Sequence, residues 1–84
     1  MERRRKQIIY RANHRGIKEM DILLGRFADA HVAGLSEPEL DQLEQIMDES
    51  DQDLLTWFTG QIPVPQRHQN AVFEAILEHQ RQNI

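Results

Sequence analysis

The most constraining feature of this 84-residue sequence is the return of apolar residues every three or four positions, in short runs separated by glycine or proline. This spacing places them on one face of an α-helix, whereas a half-buried strand would alternate every second residue. Gly34 follows the clearest run, which consists of Ile17, Met20, Leu23, Leu24, Phe27 and Ala28. We therefore expect the most secure helix to begin at Ile17 and to end near this glycine.

A shorter amphipathic helix is expected before Gly16, over residues 2–14. Helix-forming residues dominate this segment, and its modest apolar strip consists of Ile8, Ile9 and Ala12. Because residues 1–7 are rich in arginine and carry little apolar surface, we expect this basic end to fray.

Two serines predict the starts of the next two helices. Ser36 and Glu39 have the spacing of a capping box, and Ser50 and Asp53 repeat the cap spacing. The third helix would turn four residues inward, namely Leu40, Leu43, Ile46 and Met47. The fourth would bury Leu54, Trp57 and Phe58 and stop at Gly60.

The last helix is expected after the proline-containing loop. Pro63 and Pro65 exclude regular helix, and we predict that helix resumes at about Pro65 or Gln66 and continues to Gln82. Its apolar stripe consists of Val72, Phe73, Ile76 and Leu77. The sequence thus predicts an all-α fold, a compact bundle of five short helices forming one domain over residues 1–84, and a monomer.

Size and composition exclude several kinds of site. A chain of this length buries a thin core and leaves little room for an enclosed active site. It has no cysteine, so thiolate nucleophiles and thiolate metal ligands are absent. The spacing of its four histidines matches no zinc motif. We therefore predict no catalytic residues, no metal site and no cofactor bound by the chain itself.

The sequence also bears on location. No apolar run approaches the ~20 residues that span a bilayer, so we expect no membrane insertion. The basic start is not followed by the apolar region of a secretory signal. A bacterial cytoplasmic protein, or a protein of the mitochondrial matrix in a eukaryote, is the simplest interpretation.

Charge is distributed unevenly along the chain. Seven of the ten lysines and arginines lie at or before Lys18, whereas Glu37 to Asp53 contains eight acids and no lysine or arginine. Such polarity can orient a partner, although solvated helix faces would give the same pattern. Nucleic-acid binding through the Arg3–Lys18 segment is a rival hypothesis, but an isoelectric point near 5.5 argues against it.

The densest group of unlike charges surrounds Gly16, in the stretch from Arg15 to Glu19 and on to Asp21. One interpretation is local: Glu19 suits the first turn of a helix, where the dipole favours an acid by ~0.3–1 kcal/mol, and Arg15 is placed to pair with it four residues away. The other interpretation is a partner-binding patch. Arginine binds carboxylates and carbonyls bidentately, and Gly16 would permit close approach or a positive φ. Arg11 and Asp21 are secondary candidates.

The pattern R-G-x-x-E at Arg15–Glu19, with Asp21 two places on, resembles the signature of the succinate dehydrogenase assembly factor 2 family, called SdhE in bacteria. The preceding segment ending in His14 and the acidic, leucine-containing segment Asp51–Trp57 are similar to that family as well. The resemblance covers nearly the whole chain. This sequence departs from it at His14, where many members have a second arginine, and at Ile17, where methionine is common.

The resemblance implies an assembly factor without its own catalysis. Its partner would be the flavoprotein subunit of succinate dehydrogenase, or of fumarate reductase, and it would promote covalent attachment of FAD to a histidine of that subunit. The FAD would belong to the client. Partner contact would fall to Arg15, Gly16 and Glu19, with Arg11 and Asp21 beside them. An antitoxin-like binding module is the alternative, because neutralising a partner needs only a binding surface.

Overall fold

The computed structural model describes residues 2–82. Five α-helices follow one another: α1 (Arg3–Ala12), α2 (Lys18–His31), α3 (Glu37–Met47), α4 (Asp51–Phe58) and α5 (Ala71–Gln82). Short 3₁₀ turns at Val32–Gly34 and Gln66–His68 complete the regular structure, and no strand occurs within the described residues. The predicted all-α bundle of five helices is therefore confirmed.

Helix α2 is the central element of the bundle. It contacts α1, α4 and α5, and α3 packs against α5. The buried apolar residues come from every helix: Ile8, Ala12, Met20, Leu24, Phe27, Ala28, Val32, Leu40, Leu43, Ile46, Met47, Leu54, Trp57, Phe58, Val72, Phe73 and Ile76. The Cα radius of gyration of 11.8 Å matches the ~12 Å expected of a compact chain of this length. None of the helices within residues 2–82 has the length and hydropathy needed to cross a membrane.

The predicted caps at the starts of α3 and α4 are confirmed. The Ser36 side chain accepts a hydrogen bond from the Glu39 amide, and the Glu39 carboxylate accepts one from the Ser36 amide at 2.8 Å. Ser50 accepts from the Asp53 amide at 3.1 Å. Gly60 follows α4 with a left-handed φ of 79°. The two serine caps satisfy amides that a helix start leaves without internal partners, whereas Gly60 only permits the turn after the end of α4.

The predicted start of the last helix was wrong. Pro65 has an extended ψ of 150°, and residues 66–68 form only a 3₁₀ turn, so α5 begins at Ala71. The missed signal is Asn70, whose side-chain oxygen accepts a hydrogen bond from the Phe73 amide at 2.9 Å. Asparagine is among the strongest helix-capping residues.

The amino-terminal arginines attach α1 to the rest of the bundle. Arg4 pairs with three acids of α3, namely Glu37, Asp41 and Glu44. The contacts with Glu44 and then with Asp41 raise the pKa of its guanidinium group. Arg5 donates to the carbonyl oxygens of Val32 and Leu35. Over residues 2–7 the structure has a helical start at Arg3 and these tethers at Arg4 and Arg5, and the expected fraying of residues 1–7 stays a prediction.

The carboxyl end of α1 lies close against α2 at Gly25. A Cβ atom added at this buried glycine would overlap Asn13 Oδ1 and lie 2.9 Å from Asn13 Cγ. The Asn13 side chain is held there by hydrogen bonds from its Nδ2 to the Ile9 carbonyl and to Asp29 Oδ1, at 2.8 and 3.3 Å. With the Asn13 side chain held in this place, the helix crossing favours glycine at position 25.

We predict that Gly25→Ala lowers the free energy of unfolding by about 1 kcal/mol, because overpacking costs about 1–3 kcal/mol and outweighs the helix preference of alanine. In an Asn13→Ala background the clash disappears, and the same change should become stabilising. Urea unfolding of the four proteins measures both effects. Equal effects of Gly25→Ala in the two backgrounds would contradict the proposed clash.

Candidate functional site

The Arg15 side chain turns inward and joins the α1–α2 loop to the turn between α3 and α4. Its Nε donates to Asp51 Oδ1 at 2.7 Å, and its Nη2 donates to the Glu49 carbonyl at 2.9 Å. Its Nη1 donates to the carbonyl of Met47, the last residue of α3. One guanidinium group thus satisfies a carbonyl at the end of α3, which has no partner within the helix, and a second carbonyl in the turn that follows.

The Asp51 carboxylate completes this connection from the other side. Its Oδ2 accepts hydrogen bonds from the amides of Gly16 and Ile17, at 2.9 and 3.1 Å. The side chains of Arg15 and Asp51 are only 12% and 14% exposed. Burial raises the pKa of the Asp51 carboxyl, but Arg15 and the two amides together outweigh it, so the pKa lies below its usual value. We call Arg15, Asp51 and these two amides the Arg15–Asp51 lock.

Asp21 and Gly16 have roles inside this loop. The Asp21 carboxylate accepts a hydrogen bond from the backbone amide of Arg15, which fixes the loop to the first turn of α2. A Cβ atom at Gly16 would lie 3.3 Å from Asp51 Oδ2, so glycine eases the approach of that carboxylate. The predicted possibility of a positive φ at Gly16 was wrong, because Gly60 is the glycine with that conformation among residues 2–82.

The remaining predicted site residues lie at the surface. Arg11 forms an ion pair with Asp48 at 3.1 Å, and their side chains are 46% and 70% exposed. Glu19 is exposed in the first turn of α2. The local pairing considered for Arg15 and Glu19 does not occur, since Arg15 turns to Asp51. Arg11 and Arg15 therefore face different acids.

An open groove runs beside the Arg15–Asp51 lock. Its walls comprise Tyr10, Arg11, His14, Arg15, Gly16, Ser50 and Asp51. Tyr10 is 64% exposed, and its ring stacks on His14 with the ring centroids 4.0 Å apart. No local sequence pattern marks Tyr10 or Ser50 as part of this surface, because the groove is formed by segments far apart in the chain.

A second polar cluster connects the turn between α3 and α4 to the loop before α5. Glu49 Oε2 accepts hydrogen bonds from Arg67 Nε at 2.8 Å and from buried His68 Nε2 at 2.6 Å. The bond from His68, and then that from Arg67, lowers the pKa of the Glu49 carboxyl. The Trp57 ring lies 5.6 Å from the His68 ring and is 8% exposed, which confirms the predicted core position of Trp57. Because Glu49 also accepts from Arg15 through its carbonyl, this cluster helps to hold the lock.

The geometry suits contact with a macromolecule better than chemistry on a small molecule. The groove is open, and its most buried charges are already paired with each other. Within residues 2–82, no group of three histidine, cysteine or acidic side chains is arranged to hold a metal ion. What the site offers a partner is an exposed aromatic ring, a rim guanidinium group and the Glu19 carboxylate.

We predict that Asp51→Asn lowers the free energy of unfolding at neutral pH by about 3 kcal/mol, because it leaves a partly buried guanidinium group without its counter-charge. The folded-state pKa of Asp51 is depressed, so its contribution is present above the unfolded value and is lost as the pH falls through the folded value. The stability gap between the wild type and Asp51→Asn should therefore narrow towards about pH 3, as measured by urea unfolding.

Asp53→Asn is the matched control for this prediction, since Asp53 is an exposed acid of the same helical turn. It should cost less than about 1 kcal/mol, the range of an exposed first-turn acid. Equal losses in the two variants would contradict a special role for the Asp51 carboxylate.

Comparison with known proteins gives matches along nearly the whole chain. It is 35% identical over 85 residues to the mitochondrial succinate dehydrogenase assembly factor 2 of Meyerozyma guilliermondii, covering 98% of this chain and 63% of that protein. It is 35% identical over 78 residues to the FAD assembly factor SdhE of Acetobacter pasteurianus, covering 93% and 72%. The assembly factor 2 of Debaryomyces hansenii is 34% identical over 83 residues, with coverages of 95% and 58%.

These figures show how far each relative extends beyond the match. The chain spans less than two thirds of the length of the two yeast relatives and nearly three quarters of the bacterial one.

A family model described as the flavinator of succinate dehydrogenase matches residues 6–80, which include all five predicted site residues and the Arg15–Asp51 lock. The chain therefore belongs to the family of flavinators of succinate dehydrogenase.

Proposed function

We propose that this protein binds the flavoprotein subunit of succinate dehydrogenase and promotes covalent attachment of FAD to it. The observation that carries this proposal is the family match over residues 6–80. The relatives named as assembly factors support it. The groove supports it as well, because its walls combine the basic start of the chain with its acidic middle. The flavoprotein of fumarate reductase, which the sequence resemblance also implies as a partner, is proposed as a second client.

The protein would act by binding rather than by its own catalysis. Arg15 and Asp51 neutralise each other, and the Glu49 carboxylate is occupied by Arg67 and His68. Charges held in this way favour a rigid surface over an acid or base that gains and loses protons during a reaction. FAD would arrive with the client, and the groups that form the flavin bond would be the client's.

The predicted site residues divide into two proposed roles. Arg15, Gly16 and Asp21 shape the α1–α2 loop from within. Glu19 and Arg11, which are exposed on either side of that loop, would touch the client directly. Because the loop is fixed before binding, the client need not supply the free energy to order it.

A nucleic-acid partner is disfavoured by the contacts of the basic segment. Arg4, Arg5 and Arg15 are engaged with the protein's own acids and carbonyls. Their guanidinium groups would have to leave these contacts to neutralise phosphates.

The protein would act as a monomer. It would meet its client in the bacterial cytoplasm, or in the mitochondrial matrix of a eukaryote.

We predict that Glu19→Ala lowers covalent flavin on the client by roughly tenfold. This corresponds to a loss of about 1.4 kcal/mol in the free energy of binding to the client. The domain should stay folded. The assay co-expresses the chain with the cognate flavoprotein subunit and measures flavin fluorescence of the denatured subunit on a gel. Circular dichroism checks the fold of the variant.

Glu74→Ala provides the control, because Glu74 is likewise an exposed acid in the first turn of a helix, α5, outside the groove. It should leave covalent flavin unchanged. If the wild-type chain itself does not raise covalent flavin, the proposed function is wrong. If the two alanine variants behave alike, Glu19 is not a client contact.

A further inference from the structure

The arginines in the groove walls each pair with an acid, and the His14 imidazole is the basic side chain that has no acidic partner in these pairs. Arg11 on α1 pairs with Asp48, which follows α3, and Arg15 pairs with Asp51 at the start of α4. Tyr10 and Ser50 add neutral groups to the same walls. Besides the Tyr10 phenol, the remaining ionisable side chain in the groove walls is His14, which is exposed. Once these two ion pairs are balanced, with Asp48 lying outside the groove walls, His14 is the wall residue that can add a positive charge.

The hydrogen bond of His14 fixes which ring nitrogen carries a proton. His14 Nδ1 lies 2.7 Å from the carbonyl oxygen of Tyr10. Because a carbonyl oxygen can only accept a hydrogen bond, Nδ1 must be the donor in this contact. Nε2 of the neutral ring is then an acceptor, and it becomes a donor only when the ring takes up a second proton.

The stacking of Tyr10 suits the charged form of His14. The two ring centroids are 4.0 Å apart and the planes meet at 18°. A cation above the face of an aromatic ring is attracted by the ring's negative face. The imidazolium form thus keeps its hydrogen bond to Tyr10, gains this attraction, and offers a charged donor at the groove.

We propose that the groove binds a carboxylate side chain of the flavoprotein subunit, and that protonation of His14 makes this binding stronger as the pH falls. The proposal rests on the proposed function and deepens it by naming the chemistry of the contact. A carboxylate fits because the groove would present an imidazolium and the Ser50 hydroxyl, beside the exposed Arg11 guanidinium that already pairs with Asp48. Charge-assisted hydrogen bonds of this kind are about twice as strong as neutral ones.

The other groups that face His14 do not account for such a pH dependence. The carboxylates of Asp48 and Asp51, the two guanidinium groups and the Tyr10 phenol are of types that keep their charge between about pH 6 and pH 8. Imidazole is the ordinary side chain that changes charge in this interval. A change in affinity over that range which depends on position 14 therefore reports on His14.

The test measures the dissociation constant of the purified chain for the FAD-loaded flavoprotein at about pH 6 and about pH 8, at one ionic strength. The wild type should bind about fivefold or more tightly at the lower pH. His14→Gln, which is always neutral, should bind weakly at both values. His14→Arg, which is always charged, should bind tightly at both.

His31→Gln is the matched control, because His31 is an exposed histidine outside the groove. It should retain the wild-type pH dependence, whereas titration of the flavoprotein's own groups affects all four proteins alike. The proposal is overturned if His14→Gln keeps the full pH dependence, or if the wild type binds equally at both values. Absence of wild-type binding at either pH would instead overturn the proposed function, and this inference with it.

Discussion

The ion pair between Arg15 and Asp51 is the contact on which the geometry of the candidate site depends. Both side chains are largely withdrawn from water, so each would be costly to bury alone. The structure meets that cost by saturating both groups. Arg15 also donates to two carbonyls, and Asp51 also accepts from two amides. A single pair thereby fixes the α1–α2 loop against the start of α4.

This arrangement gives the arginine of the R-G-x-x-E pattern a structural role within the chain. The guanidinium group does not extend towards solvent, and its effect on a client would pass through the loop that it holds. Glu19 and Arg11, on the other hand, are available for contact. Glu49 extends the same framework to the loop before α5, because its carboxylate binds Arg67 and His68 while its carbonyl receives Arg15. A change in the loop before α5 can therefore alter the position of Glu49 and, through its carbonyl, that of Arg15.

The parts of the fold that follow from nearby residues were predictable. Ser36 and Ser50 begin their helices as expected, because a cap involves residues only three positions apart. Asn70 uses the same capping chemistry at the start of α5, whereas the proline at position 65 favours an earlier start that the structure does not have. The helix faces were likewise read from their spacing, and the predicted inward residues of α3 are all buried.

The site itself depends on contacts that spacing cannot reveal. Glu19 is the acid that local reasoning offers to Arg15, whereas the actual partner, Asp51, lies 36 residues away in the sequence. Asp51 belongs to the acidic segment that carries the family resemblance, but no local pattern connects it to Arg15. The most direct test of the account is a double-mutant cycle on unfolding free energy with Arg15→Ala, Asp51→Ala and the double variant. We predict a coupling of about 2 kcal/mol or more between the two positions, and additive losses would contradict the central role of this ion pair.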